Sequence, residues 1–461
     1  GLGLAVQAYL KSAPAQLQWL HQLARQGHRR ISVRLVKGAY WDAEIKLAQS
    51  LGYSDYPVYT RKASTDLAYL AGASYLLRHR QWLYPQFATH NAYAVAVIRQ
   101  LAGATGGFEF QRLHGMGEAL YRELVERQRA AVPCRIYAPV GQHRDLLAYL
   151  VRRILENGAN SSFVRQLADD RVPEARLAAN PARMLARSSR LDNPAVLRPR
   201  AIHSRDRQAA KGVNLADADA LTEIAADSQR WLAQIAAVGC PGDRTGAIAS
   251  VDPAFAQRVL GYYRVSEATE ARRALRAASG GWATWASTRP GERAVIMRRV
   301  AKLLESHCNE LAGFCIREAG KTLPDAIADV REAVDFCRYY ADQAVLMVAA
   351  DEAHPRGVML CISPWNFPVA IFVGQVCAAL VCGNAVLAKP AEQTTLTALR
   401  VAQLFYQAGV PRDVLLILAG PGEPIARVLL PEPQLAGVLF TGSTGVARSL
   451  ARALAAREGE R

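Results

Sequence analysis

Arg34-Leu-Val-Lys-Gly-Ala-Tyr-Trp-Asp42 closes a β-branched, alternating stretch, Ile31 to Val36, in a loop of charged, glycine and aromatic residues. The same change of texture recurs three times downstream. Trp82 to Ala88 leads into Thr89-His90-Asn91, Gly107 to Gln111 into Leu113-His114-Gly115, and Cys134 to Ala138 into Pro139-Val140-Gly141. Helical patterns follow over 43–51, 91–102, 116–129 and 144–157. Strand-then-helix units whose reactive side chains gather where strands end are the sequence form of a (β/α) barrel with its site at the C-terminal face. A closed barrel takes eight units; four are read here. Half a barrel leaves strand edges unpaired and a core uncovered, so the sequence reads as an internal piece of a longer protein. It opens on Gly1-Leu-Gly3 without an initiator methionine, and its end is read as cutting into a helix over 446–457.

The 461 residues suit two to four domains, and 51% hydrophobic residues suffice for buried cores. A formal charge of +16 would fit an anionic partner. The arginines are nevertheless scattered along amphipathic patterns, and the densest basic stretch, Arg183 to Lys211, carries prolines and no nucleic-acid-reading motif. It reads as a solvated arm. The eight cysteines show no C-x-x-C or Cys/His metal spacing and read as reduced core residues of a cytoplasmic protein with no metal site. No apolar run approaches the roughly 20 residues of a membrane span; in the most apolar region, 357–387, Pro364, Asn366, Pro368 and Gln375 interrupt.

Residues 1–165 are assigned to the half barrel, 166–264 to a mainly helical linker with a helix over 215–238, and 265–461 to a second α/β region. That region opens with helices: Ser266 is the expected N-cap for 267–278, Arg289-Pro-Gly-Glu-Arg293 opens the next, and two more cover 308–319 and 323–347. Strand and helix then alternate, with strands at Val358 to Ile362, Ala385 to Ala388, Val414 to Leu418 and Gly437 to Phe440. The alternation predicts a doubly wound sheet, where a dinucleotide lies across the carboxyl ends of the strands.

Three turns in this region carry chemistry. Phe440-Thr-Gly-Ser-Thr-Gly445 joins a strand to a helix, where small residues let backbone N–H groups approach a pyrophosphate and Ser443 adds a hydroxyl. By itself it could be a plain turn. Lys389 and Glu392 end another strand and could bond the two hydroxyls of a ribose, or form a surface ion pair. Ser363-Pro-Trp-Asn-Phe-Pro368 is a rigid turn that presents the Asn366 amide, either as an oxyanion donor or as a cap for the next helix. Together with Glu318-Ala-Gly-Lys-Thr322 and Gly383-Asn-Ala-Val-Leu-Ala-Lys-Pro-Ala-Glu392, in this order and spacing, these motifs resemble the aldehyde dehydrogenase superfamily from about Val265 onward. The resemblance implies that Lys389, Glu392, Gly442, Ser443 and Trp365 bind NAD and that Asn366 stabilises the oxyanion. Gly445 stands where that family commonly has glutamate, and Ala447 where it often has glycine. The family's nucleophilic cysteine and glutamate base fall past Arg461, so the sequence as it stands is expected not to form the thioester.

On the last helical pattern of the barrel, Tyr149, Arg152, Arg153 and Glu156 share one face. Paired guanidinium forks suit a carboxylate, although an Arg152–Glu156 ion pair is the plainer account. Arg34 to Trp41, Tyr59-Thr-Arg-Lys62, Phe87 to Asn91, Phe110 to Gly117 and Tyr149-x-x-Arg-Arg153 resemble proline dehydrogenase, an FAD-dependent (β/α)8 barrel enzyme, over residues 1–165. By that likeness Arg152 and Arg153 hold the substrate carboxylate, Tyr137 and Tyr149 line the pocket, and Arg34 sits beside the flavin N5. Val36, Gly38, Thr60, Lys62, His90, Asn91, Gln111, Leu113 and Glu156 would contact FAD.

The expected fold is therefore α/β: the C-terminal half of a (β/α)8 barrel, a mainly helical linker, and the N-terminal part of an aldehyde dehydrogenase Rossmann-like domain. A barrel followed by such a domain is similar to the arrangement of the bifunctional proline-catabolic enzymes. The likeness implies oxidation of L-proline to pyrroline-5-carboxylate with FAD, then of glutamate semialdehyde to glutamate with NAD. It further implies a membrane quinone as electron acceptor, peripheral contact with the inner membrane, and a homo-oligomer. A DNA-binding regulator would need an arm upstream of Gly1, and a catalytically inactive scaffold fragment is the other alternative.

Overall fold

Val33 and Leu35 leave β2 (Ile31–Val36) on one side and are buried, while Arg34 and Val36 leave it on the other and stay half-buried. This is the period of two that a strand imposes. The computed structural model describes residues 3–104, 106–123, 132–158, 169, 171–203, 207–240, 244–349 and 354–457. The chain divides into two compact units, Gly1–Ser50 with Asp55–Pro199, and Leu51–Ser54 with Arg200–Arg461.

In the first unit β2 lies in a five-stranded parallel sheet ordered β1 (Gly3–Gln7), β2, β3 (Leu83–Ala88), β4 (Glu109–Leu113), β5 (Cys134–Tyr137). The expectation of four strands is one short. Gly3-Leu-Ala-Val-Gln7 has a single β-branched residue and no charged exit, yet it pairs with β2 from Gly3↔Ser32 to Gln7↔Val36. Sequential order, parallel pairing and intervening helices are those of a barrel segment. The helices Ala13–Gln26, Lys62–Arg78 and Ala92–Ala102 cover one face. Leu17, Leu20, Tyr69, Leu76, Val95 and Ile98 meet Val6, Leu83, Phe87, Phe108 and Phe110 there in one core. Burial of each such side chain contributes roughly 1.5–3 kcal/mol. Two of these helices, Ala13–Gln26 and Lys62–Arg78, lie outside the patterns read from the sequence.

The second unit is built on a four-stranded parallel sheet ordered β10 (Leu415–Ile417), β9 (Ala385–Lys389), β8 (Val358–Ile362), β11 (Leu435–Phe440). The chain moves outward from β8 to β9 to β10 and then returns to the other side of β8. The order therefore reverses between β8 and β11, and the crevice outside their carboxyl ends is the place where doubly wound sheets bind ligands. Helices Pro290–Ser306, Leu323–Ala349 and Ala370–Val381 share the main core with the strands.

Two readings of this region are corrected. The stretch read as connecting sequence carries an antiparallel hairpin, β6 (Ala247–Asp252) with β7 (Phe255–Arg264). Ile248, Val251, Phe255 and Val259 are exposed there while Ser250 and Asp252 are buried, an inversion of the usual alternation that, with Pro253, hides the strand period. The cap of helix Ala268–Ser287 is Glu267, which forms a reciprocal capping box with Glu270. Ser266 instead exchanges bonds with Ala419, its N–H donating to the Ala419 carbonyl (2.8 Å) and its hydroxyl accepting from the Ala419 N–H (3.2 Å).

Two candidate active sites

The inward face of the barrel sheet is polar along its length. Arg34 pairs in register with Gln86, Gln86 with Glu109, Gln111 with Arg135, and Leu113 with Tyr137. Glu109 is buried and accepts from Arg135 Nε and Nη2 at 2.9 Å each, from Gln111 at 2.7 Å, from Gln86 at 3.0 Å and from Tyr84 at 3.3 Å. Burial alone would raise this carboxyl; the donors, Arg135 foremost, hold it below the usual range. Gln111 is thus held by a carboxylate that sequence reading passed over.

Above this layer stand the strand ends. The Arg34 guanidinium lies 4.4 Å from the Tyr137 ring centre, and its buried Nε has no hydrogen-bond partner among the described residues. A buried cationic donor with spare capacity costs stability unless something accepts from it, which fits an acceptor such as a flavin ring nitrogen. Gly38 has φ +128, and a Cβ there would stand 2.5 Å from the Tyr9 ring; Tyr9 Oη is itself buried without a partner among the described residues. Tyr9 follows β1, and it escapes a sequence reading that does not see β1. His90 Nε2 accepts the Leu113 N–H at 3.1 Å, which places the ring proton of the neutral form on Nδ1. Burial, then the charges of Arg153 and Arg112, push His90 down to about 4. Asn91 caps helix Ala92–Ala102, accepting from Ala94 N–H at 3.0 Å.

Asp66 joins Lys62 (2.7 Å) to Lys37. Burial opposes the Asp66 charge, but both ammonium groups keep its carboxyl low, while burial lowers Lys37. Thr60 Oγ1 accepts from Asn193 N–H at 2.9 Å and is engaged with that segment. Val36 ends β2, half-buried. On helix His143–Gly158, Arg152 lies 5.2 Å from the Tyr40 ring centre and Arg153 5.4 Å from that of Tyr149. The structure thus brings Arg152 to the loop after β2 and the charge of Arg153 towards His90. The Glu156 side chain lies outside the described residues.

In the second unit, the ends of β8 and β11 are clamped together. Thr441 N–H donates to the Ile362 carbonyl (3.1 Å), and Gln375 Nε2 donates to Ile362 O (3.1 Å) and Thr441 Oγ1 (3.0 Å). Gln375, read as a mere interruption of apolar sequence, is a clamp. Ser443 caps helix Thr444–Ala455, its Oγ accepting from Val446 N–H at 3.3 Å, and at Gly442 a Cβ would stand 2.5 Å from the tip of the Phe440 ring, which would have to shift. A glycine turn at a helix N-terminus presents N–H groups and a partial positive charge to a phosphate.

Lys389 is buried at the end of β9, and its contact with Glu392 is 3.9 Å, longer than a hydrogen bond. Burial lowers the ammonium, and both groups keep capacity for a diol. The donor set at the crevice fits a dinucleotide. Trp365 and Asn366 are exposed on the turn after β8. Asn366 does not cap the next helix: the cap position is Val369, and the first N–H, of Ala370, donates to Asp329 Oδ1 at 2.7 Å. The Asn366 amide therefore carries no capping duty. Burial raises the thiols of Cys315, Cys361 and Cys377, which suits inert core residues.

Residues 1–166 match the proline dehydrogenase family and residues 241–461 the aldehyde dehydrogenase family. Two oxidoreductase families are thus matched within one chain, a segment similar to a proline dehydrogenase barrel leading into one similar to an aldehyde dehydrogenase domain. Its similarity to bifunctional PutA proteins runs through both segments and the connection between them. It is 45% identical to the bifunctional protein PutA of Escherichia coli, with 99% of this chain and 36% of that protein covered. A crystal structure of proline utilization A from Bradyrhizobium japonicum superposes with a TM-score of 0.87 at 45% identity, covering 100% of this chain and 45% of that one. The 1-pyrroline-5-carboxylate dehydrogenase of Geobacillus thermodenitrificans is 37% identical over 43% of this chain and 41% of its own length. The chain spans little more than a third of the curated PutA relatives it matches. Among the described residues no helix is long and apolar enough to cross a membrane.

Proposed function

We propose that the protein carrying this chain converts proline to glutamate in two oxidations. At the barrel mouth Arg152 and Arg153 bind the carboxylate of L-proline, and Tyr137 and Tyr149 line the pocket. Bound FAD supplies the acceptor for the hydride that leaves as the C–N single bond becomes the C=N bond of pyrroline-5-carboxylate. Arg34, with its unpartnered Nε, donates towards the flavin ring, and Val36, Gly38, Thr60, Lys62, His90, Asn91, Gln111, Leu113 and Glu156 complete the cofactor's surroundings. Addition of water opens the ring to glutamate semialdehyde.

At the second site NAD supplies the acceptor for the aldehyde hydrogen, and water supplies the second oxygen of the product glutamate. Lys389 and Glu392 bond a ribose, Gly442 and Ser443 face the pyrophosphate, Trp365 packs beside the cofactor, and the Asn366 amide donates to the oxygen that gains charge. The observation that carries this reading is the presence of both family segments, in this order, within a chain similar to PutA from end to end. A membrane quinone is the proposed acceptor of electrons from the flavin, reached by a cytoplasmic protein in peripheral contact through basic surface.

The test is to express the complete reading frame and assay it twice, for proline-dependent dye reduction and for semialdehyde-dependent NAD reduction. Both activities in one product support the reading. A folded product with neither sinks it.

A further inference from the structure

We infer that Lys321 is a positioning residue for the turn that carries Asn366, fixing the oxyanion donor of the aldehyde-oxidising site; this rests on the function proposed for that site. Helix Cys308–Ala319 ends in a left-handed Gly320, φ +68, and the reversal delivers Lys321 beneath the turn that follows β8. Its ammonium donates to Asp329 Oδ2 at 3.0 Å and to the Asn366 backbone carbonyl at 2.9 Å, and stands 4.3 Å from the Phe367 ring centre. The fully buried Asp329 uses its other oxygen to accept the Ala370 N–H, the first of helix Ala370–Val381. One ion pair therefore grips the turn twice, at the peptide of Asn366 and at the start of the next helix. Pro368 stiffens the backbone between these grips and Pro364 the approach to them. Holding the 366 carbonyl sets the peptide plane from which the Asn366 side chain departs.

A plainer role is available: Lys321 could serve only as counter-ion to a buried carboxylate. That role accounts for the bond to Asp329. It leaves unexplained why the same ammonium reaches the Asn366 carbonyl and the adjacent ring. The two roles separate in a variant that removes the charge of both partners. In Lys321→Met with Asp329→Asn no unpaired buried charge remains, the amide introduced by Asp329→Asn keeps an oxygen for the Ala370 N–H, and the donor to Asn366 is still missing.

The experiment measures steady-state oxidation of glutamate semialdehyde by the full-length protein and three variants: Lys321→Met, the double Lys321→Met/Asp329→Asn, and Lys321→Arg. A donor displaced by about an ångström costs roughly tenfold to a hundredfold in rate. Lys321→Met and the double variant are expected to lose kcat on that scale with KM for NAD and aldehyde within about twofold of wild type. Lys321→Arg, which keeps a cationic donor, is expected to recover part of it. The double variant also guards against a misfolded Lys321→Met. Wild-type kcat in Lys321→Met, or restoration of kcat in the double variant, overturns the inference alone. A wild-type protein that reduces no NAD with semialdehyde overturns the function reading and this inference together.

Discussion

β4 and β9 are both buried, yet they are written differently. β4 reads Glu-Phe-Gln-Arg-Leu, with Glu109 and Gln111 turned into a polar lumen while Phe110 packs beneath helices. β9 reads Ala-Val-Leu-Ala-Lys, every residue buried and only the last one charged. The barrel sheet has one helix-covered face, so chemistry runs along its strands. A sheet packed on both faces has no room for that, and polar groups are displaced to strand ends and helix termini. The buried carboxylates follow the same division. Glu109 is surrounded by side chains that can swing away. Glu318 lies off the strands and accepts the N–H groups of Leu396 (3.0 Å) and Thr397 (2.7 Å) at the start of helix Thr395–Ala408, with Ser250 and Thr397 hydroxyls besides.

Backbone donors cannot rotate to find water, so the largest effect is expected at Glu318. Glu318→Ala leaves two buried N–H groups unpaired and should cost about 3–5 kcal/mol. Hydrogen exchange at the Leu396 and Thr397 amides reads that cost locally, as faster exchange confined to the 395–408 helix and its neighbours. Protection equal to wild type would break the distinction between the two carboxylates.

The next effect belongs to the barrel strand ends. His90 is neutral in the folded chain down to about 4, against 6.5 when unperturbed. Between those values the unfolded chain binds the extra proton, so stability must fall as pH falls through this window. The shift corresponds to about 3 kcal/mol when complete. Urea midpoints followed by fluorescence from about pH 7 to about pH 4.5 should decline in wild type and less steeply in His90→Gln; parallel slopes would refute the assignment. Below this comes Glu109→Ala, at about 2 kcal/mol, because Arg135, Gln86 and Tyr84 are only partly buried and can turn to water. A loss exceeding that of Glu318→Ala would invert the comparison.

The same division decides what can be read in advance. Ile31–Val36 and Val358–Ile362 are strands with the bounds expected from β-branched alternation and apolar runs. Gly3–Gln7 escapes the reading because Gly-Leu-Ala-Val-Gln shows little alternation, and the β6–β7 hairpin because its exposed residues are largely apolar and its register is bulged. Motifs place Arg34 and Tyr137 in one site on the strength of a family likeness, and the fold puts them 4.4 Å apart although they are distant along the chain. Gln375 carries no such signal, and Lys321 stands in the Glu318-Ala-Gly-Lys-Thr322 motif with no role attached to it. Each works through a bond to a backbone carbonyl or hydroxyl made by tertiary packing, and no spacing in the sequence records such a bond.

Ser443→Ala is the smallest expected effect and the sharpest probe of the displaced chemistry. If polar groups in the second unit live at helix termini, this hydroxyl has two duties, capping Val446 N–H and facing a phosphate. Loss of the cap alone costs about 1 kcal/mol, visible as fraying of Thr444–Ala455 in hydrogen exchange without ligand. Aspartate caps as well as serine but brings a negative charge to the place proposed for a pyrophosphate. Ser443→Asp should therefore keep the protection of the helix and weaken NAD binding, measured by calorimetry on the full-length protein, at least tenfold more than Ser443→Ala does. Equal NAD affinity in the two variants would leave Ser443 a cap and nothing more.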